Sequence, residues 1–243
     1  MRRISYALAV AAVVAAAVPA FAAGSPASGL RLDPNHKITN STSTNWSGLA
    51  ATGTTFTSVA SSWIQPTASC GSGETSYSSF WVGLDGYNSN SVEQTGTDAD
   101  CSSGAPQYYA WYEMYPKCPV NLSSASNPVV PGDSMSASVT VGSGGKFTLT
   151  ISDSTRHWTF TTTQRLNKAS LSSAEVIAEA PSSRGGVLPL ANFGTVNFSS
   201  ASANGQPLTN FAFDPITMQS GSTVKAQPSG ISGGAFSVVW KHS

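Results

Sequence analysis

Apolar residues in this chain recur at every second position, in short runs broken by Gly, Pro, Asn and Ser. That period restricts the fold to β-structure. Strands are expected over residues 56–64, 79–84, 108–115, 134–141, 146–151, 158–162, 174–178, 195–198 and 235–240. Residues 141–146 and 152–156 read as hairpin connections, because Gly, Ser and Asp supply tight-turn backbone. No stretch repeats apolar residues at helical spacing. Many short strands with turn signals between them predict a sandwich or a barrel. With no internal repeat and no long linker, a single domain is the simplest organisation.

The two ends of the leader region differ from this pattern. Arg2 and Arg3 precede an apolar run from Ala7 to Val18, and Ala20-Phe21-Ala22 supplies a small-x-small cleavage signal. Residues 1–22 therefore read as a signal peptide, too short and wrongly flanked for a span that needs about 20 apolar residues. The mature protein is expected to be secreted and extracellular, with no membrane partner. Residues 23–43, rich in Ser, Pro, Asn and Thr, read as a pro-segment or flexible arm, and residues 44–243 as the domain.

Charge excludes some functions. Charged residues are 10% of the chain, against about 25% in a typical soluble protein. From Thr44 onward eight Lys/Arg face eleven Asp/Glu, a formal charge of −3. There is no basic stripe, so nucleic acid is not an expected partner. So few carboxylates also leave few groups whose protonation unfolds the chain, and acid tolerance is expected.

Three cysteines allow at most one internal disulfide. Cys101 precedes the turn at residues 102–106, and Cys118 ends the strand that follows it, so a hairpin keeps those two apart. Cys70 lies in another Gly/Ser-rich loop, and Cys70–Cys101 is the expected bridge.

Catalytic types narrow by elimination. Of three histidines, His36 lies in the arm, His242 near the C-terminus and His157 after a hairpin turn, which leaves no base for a Ser-His-Asp triad. No HExxH or CxxC spacing offers a metal site, so no metal or cofactor is expected. Asp-Thr/Ser-Gly signatures and phosphate-binding loops are absent too. Carboxylates and side-chain amides remain.

Those residues fall into ordered strings: Asn45 to Gly48 (NWSG), Phe80 to Gly86 (FWVGLDG), Glu93 to Asp98 (EQTGTD), Ala110 to Pro116 (AWYEMYP) and Ala174 to Glu179 (AEVIAE). With Val130 to Asp133 and Ala191 to Val196, they resemble the glutamic peptidases, the eqolisins, over about residues 44–198. The resemblance implies a concanavalin-like antiparallel β-sandwich with its active site on a concave face. It also implies an acid endopeptidase, with Glu179 and Gln94 as the catalytic pair. Glu175 and Glu179 point the same way on a strand, so the choice of Glu179 rests on the resemblance, and Glu175 is expected to be a solvated or structural acid. Two departures stand out. Ala180-Pro181 follow Glu179 where an aspartate and an aromatic are typical, and little matches beyond Phe198.

The pair suits amide hydrolysis. A carboxylate activates water and its acid form protonates the leaving nitrogen, while a neutral amide N–H₂ donates to the oxyanion. An alternative order has protonated Glu179 donate first. Trp46 and Trp81 are expected as apolar walls for substrate, with ordinary sandwich core as the competing assignment. Asp85, Asp98 and Glu113 are expected to orient the site, and Trp111, Glu113 and Tyr115 to alternate onto one cleft-lining face. Substrates are proteins or peptides, and the protein is expected to be a monomer. Whether residues 23–43 restrain the enzyme before removal is left open by the sequence; restraint is the hypothesis their composition suggests.

Two rivals share the sandwich. A lectin-like carbohydrate-binding module needs exposed aromatic platforms but not Gln94 or Glu179. A retaining glycoside hydrolase needs two carboxyls about 5 Å apart, whereas Glu175 and Glu179 stand about 13 Å apart along an extended strand, which leaves Glu113 on a neighbouring strand as the possible partner.

Overall fold

The computed structural model describes residues 42–243. The leader and residues 23–41 of the expected arm lie outside the described residues. The described chain is built of strands, with one short 3₁₀ turn at Leu208–Asn210.

The strands form two layers. One sheet runs in the order Trp46–Thr52, Ala174–Glu179, Ser79–Leu84, Val92–Ser102, Ala105–Tyr115 and Val120–Asn121. The other runs Trp158–Arg165, Lys146–Asp153, Ser134–Gly142, Ser58–Ile64, Thr195–Ala203, Phe236–Trp240 and Thr223–Pro228. The strand Ala212–Ser220 joins them. Its residues 212–216 pair with Trp46–Thr52 and its residues 218–220 with Thr223–Pro228, so one strand turns the corner between sheets. A register shift between Met218 and Gln219 marks the bend.

Pairing between these strands is antiparallel apart from Thr42–Ser43, which lies parallel to Thr217 and Met218; an isolated bridge of Tyr77 to Leu190 is also parallel. The last two residues assigned to the arm by sequence thus belong to the sandwich: their backbone completes the edge of the corner strand.

Two-residue alternation fills the space between sheets. Leu49, Val82, Leu84, Val176 and Ala178 face Val139, Leu149, Ile151, Phe198 and Val238 in one buried cluster. Each large side chain buried there contributes about 1.5–3 kcal/mol. A short polar chain crosses this core. Trp63 Nε1 donates to Thr97 Oγ1 at 3.0 Å, Thr97 to Gln65 Oε1 at 2.6 Å, and Gln65 Nε2 to the Asp98 carbonyl at 3.0 Å. It ties Ser58–Ile64 to the strand that carries Gln94.

The predicted strands are present, several of them longer than predicted. Nine other strands of the described residues escaped the alternation test, four of them longer than two residues: Trp46–Thr52, Val92–Ser102, Ala212–Ser220 and Thr223–Pro228. The hairpin at residues 102–105 sets Cys101 opposite Pro106, and Cys101 is bonded to Cys70 as expected. Cys118 lies exposed beyond the cis Tyr115–Pro116 peptide.

Candidate active site

The outward faces of the first sheet's strands carry a second buried cluster: Trp46, Ala50, Trp81, Val92, Tyr109, Trp111, Ile177 and Ile216. Cross-strand register arranges this face in rows. Glu179 lies between Trp46 and Ser79, and Ser79 pairs with Asp98, which pairs with Tyr109. Glu175 pairs with Gly83, Gly83 with Gln94, and Gln94 with Glu113. Between these rows run Ile177, Trp81, Gly96 and Trp111. All the expected site residues other than Asp85 therefore come from one face of one sheet.

Glu179 is fully buried. Asn45 Nδ2 donates to its Oε1 at 2.9 Å, and Trp81 Nε1 to its Oε2 at 2.9 Å. Burial pushes its pKa well above the usual carboxylate range, and the nearby Glu113 carboxylate pushes it further. Trp81, Trp46 and Asn45 oppose that rise by favouring the charged form. The net direction is upward, so Glu179 carries a proton in acid.

Glu113 also receives the Gln94 amide, Nε2 to Oε2 at 2.8 Å. One N–H of the Gln94 carboxamide is committed to Glu113, leaving the other for a further acceptor. Gln94 Oε1 is buried with no hydrogen-bond partner. The Glu113 carboxyl thus touches the Gln94 carboxamide on the neighbouring strand and lies near enough to Glu179 to act on its charge.

The other acids do different work. Asp98 accepts the Trp111 indole N–H at 2.6 Å, and its pKa is raised to about 6, chiefly by burial. Asp100, two residues along on the same face, accepts Tyr109 Oη at 2.8 Å and the Ser78 N–H at 3.1 Å. Burial and the Asp98 charge push Asp100 well up. Asp85 does not touch Glu179. Its carboxylate accepts the N–H groups of Leu171 at 2.8 Å and Ser172 at 2.9 Å, stapling the chain that leads into Ala174–Glu179.

Glu175 is not solvated. It is 0% exposed, and burial, Asp85 and Glu93 all push its pKa well up. Trp46, Trp81 and Trp111 are not open walls either: they are 1%, 0% and 1% exposed. Their apolar rings pack together, with Trp46 and Trp81 edge to face at 4.9 Å, while Trp81 and Trp111 direct their N–H groups to carboxyls. Exposed aromatic platforms of the kind a sugar-binding module needs are therefore not formed by these three rings. Tyr115 packs against the same cluster.

Sequence reasoning missed Asn45, Asp100 and Tyr109. Asn45 was visible only as part of its string, and Asp100 only by the two-residue step from Asp98. Among the described residues no group of three or more His, Cys, Asp or Glu is placed to hold a metal.

The fold and this face define a β-sandwich protein in which one sheet carries a buried carboxyl–carboxamide centre. Comparison with known proteins is specific about which one: residues 44–239 match the Peptidase A4 family, and the chain belongs to it. It is 30% identical to aspergillopepsin-2 of Aspergillus niger over 183 residues, 66% of this chain and 64% of that protein. It is 31% identical to scytalidopepsin B of Scytalidium lignicola over 147 residues, 59% of this chain and 52% of that protein. The chain thus spans less than two thirds of either relative. The crystal structure of scytalido-glutamic peptidase with a peptide-based transition state analog superposes with a TM-score of 0.69 at 25% identity, covering 82% of this chain and 98% of that one. The resemblance read from the strings to the glutamic peptidases, and the sandwich it implied, hold.

Proposed function

We propose that this protein is a secreted acid endopeptidase in which Glu179 and Gln94 cleave the peptide bond. The observation that carries the reading is the grouping of Glu179, Gln94 and Glu113 on one buried face, with Glu113 acting on both others and Glu179 held by two neutral donors. Family membership and a relative crystallised with a peptide-based analog support a peptide substrate. Export rests on the leader-like residues 1–22.

The electrostatics favour the order in which the acid acts first. Protonated Glu179 gives its proton to the scissile carbonyl oxygen as water adds to the carbon. The glutamate then takes a proton from that water, leaving a neutral tetrahedral diol and a protonated Glu179. It next protonates the nitrogen, the C–N bond breaks, and a diol proton returns to Glu179 as the new carboxylic acid forms. The second N–H of Gln94 stabilises oxygen charge along the way, and stays neutral at any working pH. Glu113 aims it by holding the first.

The test is proteolysis of an unfolded protein between pH 2 and 7, with pepstatin present throughout. Wild type should be active in acid. Glu179→Gln should be inactive, and Gln94→Ala should fall by about 10²–10³, as for loss of an oxyanion donor. Full activity in folded Glu179→Gln would refute the assignment.

A further inference from the structure

We propose that Ser43 is a positioning residue for Glu179, and that processing of the N-terminus must leave Thr42 and Ser43 on the active chain. The inference rests on the reading of Glu179 as the reacting acid. Ser43 sits within the sandwich, 2% exposed, with its backbone paired to Met218. Its hydroxyl accepts the N–H of Asn45 at 3.3 Å and of Trp46 at 3.0 Å, and donates to Asn45 Oδ1 at 3.2 Å. One donor and two acceptors are all that a serine hydroxyl has, so Ser43 is committed entirely to the turn that precedes the Trp46 strand.

The bond to Oδ1 has a specific consequence. A carboxamide can turn over and exchange its oxygen for its nitrogen at little steric cost. Turned over, Asn45 would direct Oδ1 at the Glu179 carboxyl and repel its ionised form. The Ser43 hydroxyl, by donating to Oδ1, selects the rotamer that directs Nδ2 at Glu179 Oε1, 2.9 Å away. The Asn45 carbonyl meanwhile accepts the Ala180 N–H at 2.8 Å, so Asn45 brackets Glu179 from its side chain and from the residue after it. A chain cut after Ser43 retains Asn45 and loses the group that orients it.

Two measurements test this. The first compares wild type, Ser43→Ala and Ser43→Thr in the full chain. It follows the Glu179 carboxyl titration by carbon NMR, and kcat and KM against pH with a peptide substrate. In Ser43→Ala the Glu179 titration should move to higher pH, and kcat should fall about tenfold with KM within about twofold. Ser43→Thr, which keeps the hydroxyl, should restore both. A folded Ser43→Ala with the wild-type titration would overturn the proposal. The second measurement is N-terminal sequencing of the active secreted protein, which needs no variant to fold. Its first residue should be Thr42 or an earlier one, and an active form beginning at Ser43 or later would overturn the processing limit. Activity retained in Glu179→Gln would instead refute the catalytic reading, and the NMR titration would still decide the role of Ser43.

Discussion

Two neutral donors of different kinds hold Glu179, one on each oxygen: the Asn45 amide and the Trp81 indole. Both favour the ionised form, while burial and Glu113 disfavour it. The position of this balance decides where the acid begins to lose its proton. Trp81→Phe keeps most of the ring volume and removes one donor. Glu179 should then ionise at higher pH, and the pH profile of kcat should shift upward by about one unit, the effect of losing a hydrogen bond to a charged group. A kcat profile recorded from pH 2 to 7 checks this, and an unshifted profile would mean that the indole contributes only packing. Asp98 and Asp100 form a second such balance, with Tyr109 and Trp111 as its donors.

At the scale of strands, the site depends on register and on what is missing between the side chains. Gln94 and Glu175 flank Gly83, where a Cβ would come within 2.9 Å of the Trp81 ring and 3.2 Å of Gln94 Cβ. At Gly96 a Cβ would strike the Phe80 carbonyl and the Trp81 backbone. Gly96→Ala must therefore displace the Trp81 strand, and it should lower Tm and uncouple Trp81 from Glu179. Thermal melting, with tryptophan fluorescence as the second readout, checks it. The Asp85 staple acts on the same element from its start. Asp85→Ala leaves the Leu171 and Ser172 N–H groups without their acceptor. It should cost about 3 kcal/mol and lower Tm by about 6–12 °C, as read by calorimetry. Val92–Ser102 was also hard to see in advance, being buried at all but its last position. In Val92–Ser102 one face holds Gln94, Gly96, Asp98 and Asp100, polar or small yet buried. A strand buried on both faces loses the apolar–polar alternation that marks a half-exposed one.

For the whole molecule, burial of acids outweighs their scarcity. Nine of the eleven carboxyl side chains from Thr44 onward are buried. In Glu93 burial and the Asp85 charge raise the pKa to about 8 from 4.5. The unfolded chain ionises this group from about pH 4.5, and the folded one holds its proton until about 8. Its stabilisation is complete below the lower value and is lost as pH rises through the upper one, about 3 kcal/mol of it by pH 7. Asp98, raised to about 6, acts in the same direction over a narrower window. Tm should therefore fall between pH 4 and pH 8, and a Tm that rises over that range would contradict it. Acid tolerance is expected from the low acid count, and the raised pKa values of Glu93 and Asp98 act in the same direction. The Cys70–Cys101 bridge closes a loop of sequence separation 31. Its removal as Cys70→Ser with Cys101→Ser should cost about 3–4 kcal/mol, visible in urea denaturation.

The sequence by itself determined what is local or periodic. The two-residue period made the chain all-β, turn residues located the hairpins, and the hairpin at residues 102–105 directed Cys101 to Cys70 rather than Cys118. The ordered strings carried the family and nominated Glu179 and Gln94, since chemistry borne by a short string survives in its spacing. Only the tertiary structure decided what depends on register across strands. It brought Glu113 to the Gln94 amide and near Glu179, turned Asp85 into a staple outside the site, and buried Glu175 and the three tryptophans. It also brought Thr42 and Ser43 into the sandwich. The physical reason is that hydrogen-bond partners and desolvation belong to the space around a group, and residues far apart in the chain supply that space: Asn45 and Trp81 are 134 and 98 residues from the acid they hold.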